Sequence, residues 1–175
     1  FIPNGYNIKD GIEYAKIFEP FINYINVDFG TWESMSVSIP PLFFEQGFHL
    51  KYISLLKNSI NIPVIGSGRI INPDKAEEIL ENNNCDLIGM ARELIADPYW
   101  VQKIKEDKPE DIVECIGCNQ KCIGRLLQNR AISCVVNPSA GFEEDYGKEK
   151  LFAKSPVPKK VVIVGGGPAG MKAAE

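Results

Sequence analysis

The chain has 175 residues, 45% hydrophobic and 24% charged, the balance of a folded globular protein rather than a disordered one. Its formal charge of −4 argues against a nucleic-acid partner, because gripping a phosphate backbone rests on clustered Lys and Arg. No apolar run approaches the roughly 20 residues of a membrane helix and no secretion signal opens the chain, so a cytoplasmic protein without a membrane partner is expected.

Helix and strand signals alternate from the start. Tyr14, Ile17, Phe18 and Phe21 recur at helical spacing, and residues 24–29 (YINVDF) are short, aromatic and β-branched, as a buried strand should be. Phe48, Tyr52, Leu55 and Leu56 form a second helical stripe, leading to a strand over 62–65 (IPVI) that ends in GSGR. Asn72 then reads as an N-cap with Pro73 at the first helical position and Asp74 in the first turn; Ala76, Ile79 and Leu80 form its buried face, and a strand over 86–90 follows. Consecutive αβ steps of this length imply parallel strands with helical crossovers, either a doubly wound sheet or a (β/α)8 barrel. Residues 93–104 continue as helix, broken at Asp97 and Pro98, with Trp100, Val101 and Ile104 packed on the body of the domain.

Four of the five cysteines fall between 115 and 134, with the spacing C-x2-C-x3-C-x11-C. Cys115, Cys118 and Cys122 are close enough in sequence to surround one metal centre, and Cys134 adds a fourth thiolate. Disulfides are disfavoured in a reducing compartment. A zinc site would pair C-x2-C with a second short knuckle, whereas Cys122 and Cys134 stand far apart; spacing alone favours iron–sulfur and leaves zinc open. Cys85, alone at the start of an apolar strand, reads as an inert core residue. Residues 137–160 are rich in Pro, Gly and charge, as a linker is.

Residues 160–170 read KVVIVGGGPAG: a strand over 160–164, then Gly165, Gly167 and Gly170 at the G-x-G-x-x-G positions before a helix. Small residues there let a backbone approach a pyrophosphate at a helix N-terminus, so the turn reads as a dinucleotide site without separating FAD from NAD. Two earlier loops also leave parallel strands with glycine and arginine: residues 66–69 (GSGR) and 89–92 (GMAR). In (β/α)8 barrels a phosphate commonly binds where the last two such loops meet. Phe1 rather than Met opens the chain, and the last eleven residues begin a phosphate-binding turn and stop, so the sequence reads as an internal piece of a longer protein.

The order GSGRI, GMARELIADPYW, CIGCNQKC, SCVVNP and KKVVIVGGGPAG resembles the NADH:flavin oxidoreductase family that includes 2,4-dienoyl-CoA reductase, 2-enoate reductase and trimethylamine dehydrogenase. GTWESM with the later IPP is more similar to the 2-enoate reductase branch. The resemblance implies an α/β chain in three parts: the C-terminal part of a (β/α)8 TIM barrel over 1–110, an iron–sulfur segment and linker over 111–158, and the start of a Rossmann-like domain over 159–175. It implies FMN in the barrel, a [4Fe–4S] cluster on Cys115, Cys118, Cys122 and Cys134, and FAD or another dinucleotide at Gly165, Gly167, Pro168 and Ala169. Gly68, Arg69, Ala91 and Arg92 would hold the FMN phosphate. NAD(P)H would be the donor, and an activated C=C bond of an enoate or enoyl-CoA the acceptor, in a parent compatible with homo-oligomerisation. The family's substrate-protonating Tyr and its neighbouring His come from earlier strands, so no catalytic residue is assigned. A zinc-binding structural module and a fragment without turnover are the alternatives. His49 reads as a partly exposed residue without a functional role, and Trp32, Glu33 and Met35 as a loop where barrel enzymes carry substrate contacts or merely local packing.

Overall fold

A computed structural model describes residues 3–147 and 153–174. Three short strands, β1 (Ile25–Asn26), β2 (Val64–Gly66) and β3 (Leu87–Ile88), form one parallel sheet in the order β1-β2-β3. Ile25 pairs with Val64 and Ile65 with Leu87, so sheet order follows chain order. The crossovers carry helices α3 (Leu50–Lys57) and α4 (Pro73–Glu81), and α1 (Ile8–Phe18) precedes β1. The loop after β1 carries the single turn α2 (Met35–Ser38).

The helices begin where local chemistry satisfies their free N–H groups. The Asn7 side chain accepts from Lys9 N at 2.8 Å while Asp10 reaches back to Asn7 N at 2.7 Å, a capping box for α1. Asn72 caps α4 as predicted, its side chain accepting from Asp74 N and Lys75 N, with Pro73 at the first helical position. Helices and strands meet in a core containing Ala15, Ile53, Leu56, Val64, Ile79 and Cys85. Cys85 is 2% exposed, the inert core position expected of it.

Several apolar residues read as helical stripes lie outside this core. Burying Ile8, Ile12 and Ala15 turns the opposite side of α1 outward, leaving Tyr14 and Ile17 exposed; Phe18 and Phe21 at its end are exposed as well. Likewise Leu55 and Leu80 are exposed while their neighbours Leu56 and Ile79 are buried, since adjacent residues stand about 100° apart around a helix.

After β3 come α5 (Arg92–Ala96) and α6 (Trp100–Lys105), separated at Asp97 and Pro98 as the sequence indicates. Trp100 is buried and donates from Nε1 to the Ile71 carbonyl at 3.1 Å, and Ile104 packs on the core, whereas Val101 is exposed. The cysteine segment holds only the one-turn α7 (Ile123–Leu126), and the predicted linker holds α8 (Glu143–Tyr146), with residues 148–152 outside the described residues. The predicted strand over 160–164 does not form: a strand exists through a ladder partner, and here Val161, Val162 and Val164 are exposed. The glycine turn and helix α9 (Pro168–Ala174) do form. Gly165 has φ +116°, and a Cβ on Gly170 would lie 2.0 Å from the Gly165 carbonyl oxygen, so the close approach of turn and helix requires glycine there.

Candidate functional site

Parallel order puts the loops that leave β1, β2 and β3 side by side at one rim of the sheet. A cleft of about 400 Å3 opens there between the GSGR and GMAR loops, bordered by Gly68, Arg69, Ala91, Arg92, Glu93 and His49. All four residues expected to hold a phosphate from these loops therefore meet at one place. Gly68 has φ +128°, and a Cβ there would come within 2.9 Å of His49 Nδ1, so the loop can lie against the imidazole only with glycine at this position.

His49 corrects the sequence reading. It is 2% exposed, stacks on Phe29 with ring centroids 4.8 Å apart, and places Nε2 2.8 Å from the Val37 carbonyl oxygen. The carbonyl can only accept, so Nε2 carries the proton and Nδ1 is left as an acceptor. Burial pushes this imidazole below its ordinary pKa, outweighing the opposite pulls of the Val37 carbonyl and Asp28. Its position next to Phe48 in a short apolar stretch carried no sign of this, because burial is set by the GSGR loop, 19 residues on.

Four buried side-chain atoms have no hydrogen-bond partner among the described residues: His49 Nδ1, Arg69 Nε, Glu93 Oε1 and Ser133 Oγ. Three of these residues, His49, Arg69 and Glu93, border the cleft. Buried polar groups are normally satisfied, so these three are exceptions grouped around one cleft. The set is mixed: Arg69 Nε is a donor, His49 Nδ1 and a carboxylate Glu93 Oε1 are acceptors. His49 Nδ1 lies against Gly68 and Arg69 Nε against Gly117, so what the cleft offers a ligand is two glycine-bearing strand-end loops beside arginine charge, which suits a phosphate-bearing group such as FMN. Arg69 itself donates from Nη1 to the Phe44 carbonyl at 2.7 Å, and Ala91 N donates to Glu93 Oε2 at 3.3 Å.

The cysteine segment packs behind this cleft. Asp97, 2% exposed, accepts from Val113 N at 2.9 Å and Tyr99 N at 3.0 Å and pairs with Lys103, which fixes the chain two residues before Cys115. Burial pushes the Asp97 carboxyl up, but Lys103 and the two N–H groups outweigh it and hold the pKa below the usual value. Leu42 N donates to the Gly117 carbonyl at 3.0 Å, and Asn119 Nδ2 to the Ile39 carbonyl at 3.0 Å, so the loop docks on the segment after β1. Ser133 N donates to the Lys121 carbonyl at 3.0 Å, closing the eleven-residue gap and bringing Cys134 back beside Cys122.

Cys115, Cys118, Cys122 and Cys134 consequently line one cavity with Arg92, Ile95 and Val136. All five cysteines are free thiols. Burial raises the Cys115 pKa, partly countered by the Gly117 N–H, which lies 3.5 Å from its sulfur. Among the described residues no three His, Cys, Asp or Glu groups converge closely enough to hold a single metal ion. Four soft thiols bordering one cavity are donors of the kind that either a zinc ion or an iron–sulfur cluster takes.

Among the described residues no helix is long and apolar enough to cross a membrane. The chain is 43% identical over 176 residues to an NADH oxidase of Thermoanaerobacter brockii, covering 99% of this chain and 27% of that protein. It is 38% identical to a cinnamate reductase of Clostridium sporogenes, over 99% of this chain and 26% of the relative. The solved structure of 2-naphthoyl-CoA reductase in complex with 2-naphthoyl-CoA superposes with a TM-score of 0.85 at 32% identity, covering 99% of this chain and 26% of that one. The chain thus spans about a quarter of the length of the relatives it matches. The three parallel strands with their helical crossovers are part of a (β/α)8 barrel of flavin oxidoreductases. A profile of the NADH:flavin oxidoreductase / NADH oxidase family matches residues 13–111, and the chain belongs to that family.

Proposed function

We propose that the chain is the part of a longer flavin- and iron–sulfur-dependent enzyme in which the flavin phosphate site meets the electron relay, and that the whole protein reduces the activated C=C bond of an enoate or enoyl-CoA with electrons from NAD(P)H. The observation that carries this reading is that Arg92 borders both the glycine–arginine cleft and the four-thiol cavity, which puts the two side by side, since electron transfer needs two redox groups held close together. A cinnamate reductase and a 2-naphthoyl-CoA reductase among the similar proteins support a conjugated acceptor.

When bound, FMN would supply hydride transfer to the double bond, and the [4Fe–4S] cluster single-electron transfer from an FAD held by the following domain. The residues of this chain bind and orient. Arg69 lends its charge to the FMN phosphate, Gly68 and Ala91 give close backbone approach, and His49 and Glu93 border the same cleft. Cys115, Cys118, Cys122 and Cys134 ligate the cluster. Gly165, Gly167, Pro168 and Ala169 form the turn against which a dinucleotide pyrophosphate would lie.

The test is anaerobic purification of the full-length protein followed by metal, sulfide and flavin analysis. The expected result is brown protein with FMN, FAD and about four irons per chain, as one four-thiolate cubane requires. Colourless protein containing zinc and no iron would replace this reading with a structural zinc module.

A further inference from the structure

Arg92 borders both cavities, the glycine–arginine cleft and the four-thiol cavity. It is 9% exposed, and its Nη1 donates to the Pro40 carbonyl at 2.8 Å and to Asn119 Oδ1 at 2.7 Å. Asn119 lies between Cys118 and Cys122 and lines only the thiol cavity, and its own Nδ2 holds the Ile39 carbonyl. One guanidinium therefore clamps the cysteine loop to the segment after β1 while closing the end of the cleft. Among the described residues Arg92 enters no ion pair; the carboxylate of Glu93 next to it borders the cleft and acts on the Cys115 thiol in the opposite sense and more strongly, so removing Arg92 leaves that negative charge unopposed. A guanidinium stays protonated at all working pH values, so its charge next to the thiols is permanent.

We propose that Arg92 is a positioning residue shared by the two redox sites: it couples FMN binding to the conformation of the cysteine loop, and its buried charge makes the cluster easier to reduce. This rests on the iron–sulfur reading above. Adding an electron to a cluster adds negative charge, and a fixed cation in a poorly screened site favours the reduced form. Binding in the cleft and order in the cysteine loop both draw on the same side chain, so a change at one is felt at the other to the same extent in both directions.

The experiment uses the full-length holoenzyme and three variants, Arg92→Gln, Arg92→Lys and Asn119→Ala. The cluster midpoint potential is followed by EPR-monitored titration, and the FMN dissociation constant by the fluorescence of released flavin. Arg92→Gln is expected to make the cluster harder to reduce by about tenfold in equilibrium constant, about 59 mV for a one-electron couple. Arg92→Lys keeps the charge and restores most of the potential, yet lacks the planar fork and still binds FMN more weakly. Asn119→Ala, at a residue that lines only the thiol cavity but ties Arg92 and Ile39 to the cysteine loop, should weaken FMN binding about fivefold, the low end of coupling between linked sites. An unchanged potential in Arg92→Gln, or unchanged FMN affinity in Asn119→Ala, would overturn the proposal. Should Arg92→Gln fail to fold, Asn119→Ala decides the coupling, and an Arg92→Lys potential displaced as far as FMN binding is weakened would overturn the role of charge. Wild-type protein without iron overturns the iron–sulfur reading instead, so the two failures are told apart.

Discussion

The cleft and the thiol cavity lie against each other but are built in opposite ways. The cleft sits on the ends of hydrogen-bonded strands, with Ile53, Val64 and Ile79 packed beneath them, so its geometry is inherited from the core. The cavity has a single helical turn and is held by individual side-chain and loop bonds: Asp97 to Val113, Asn119 to Ile39, Lys121 to Ser133. One site is secured by cooperative burial and the other by a few polar ties, each of which counts for more.

That contrast predicts where substitutions hurt most. Asp97→Ala leaves two N–H groups unpaired and Lys103 with the Asp111 carbonyl but no carboxylate partner, and should cost about 3 kcal/mol, read by urea denaturation, with proteolysis appearing first between residues 112 and 134. Cleavage first in the strands would break the comparison. The same carboxylate gives a pH dependence. Its folded pKa is depressed, so its contribution is present above the unfolded carboxylate value of about 3.9 and is lost as pH falls through the folded value. Asp86, whose burial is outweighed by Lys57 and Val64 N, adds in the same direction.

A smaller effect is expected in the cleft. Gly68→Ala introduces a side chain at φ +128° within 2.9 Å of His49 Nδ1 and should cost about 2 kcal/mol, with FMN retention falling and the cluster iron content kept. Flavin and iron content on the same sample check it. Smaller again, Trp100→Phe removes the bond from Nε1 to the Ile71 carbonyl and should lower stability by about 1 kcal/mol, with both cofactors retained. Loss of iron in either variant would mean that the coupling through Arg92 is far stronger than the severalfold effect expected of it.

The same difference explains what could be read from the sequence. The βα order, the Asn72 cap with Pro73 and the paired glycine–arginine loops were legible because strands, caps and turns depend on neighbours a few residues away. That the four cysteines border one cavity was legible in outline from their spacing, although the return of Cys134 depends on the Ser133–Lys121 bond. What escaped were side chains defined by distant partners. His49 is buried by Gly68 and held by Val37, Asp97 acts through Lys103 and Val113, and the predicted strand over 160–164 has no ladder to join. The exposed Tyr14 and Ile17 show a further limit: helical spacing identifies a helix, but several stripes on it can be apolar and packing selects among them.

The uncrossed order of β1, β2 and β3 has one more consequence. Each strand hands its loop to the same rim, and the loop after β1, carrying Trp32 and Met35, meets Ile123 and Leu126 of α7 rather than the core. The same loop thus borders two spaces at once, with Trp32 and Met35 on the side of α7 and Ser38, Ile39 and Pro40 on the side of the cleft, while the GSGR and GMAR loops are anchored to their own strands.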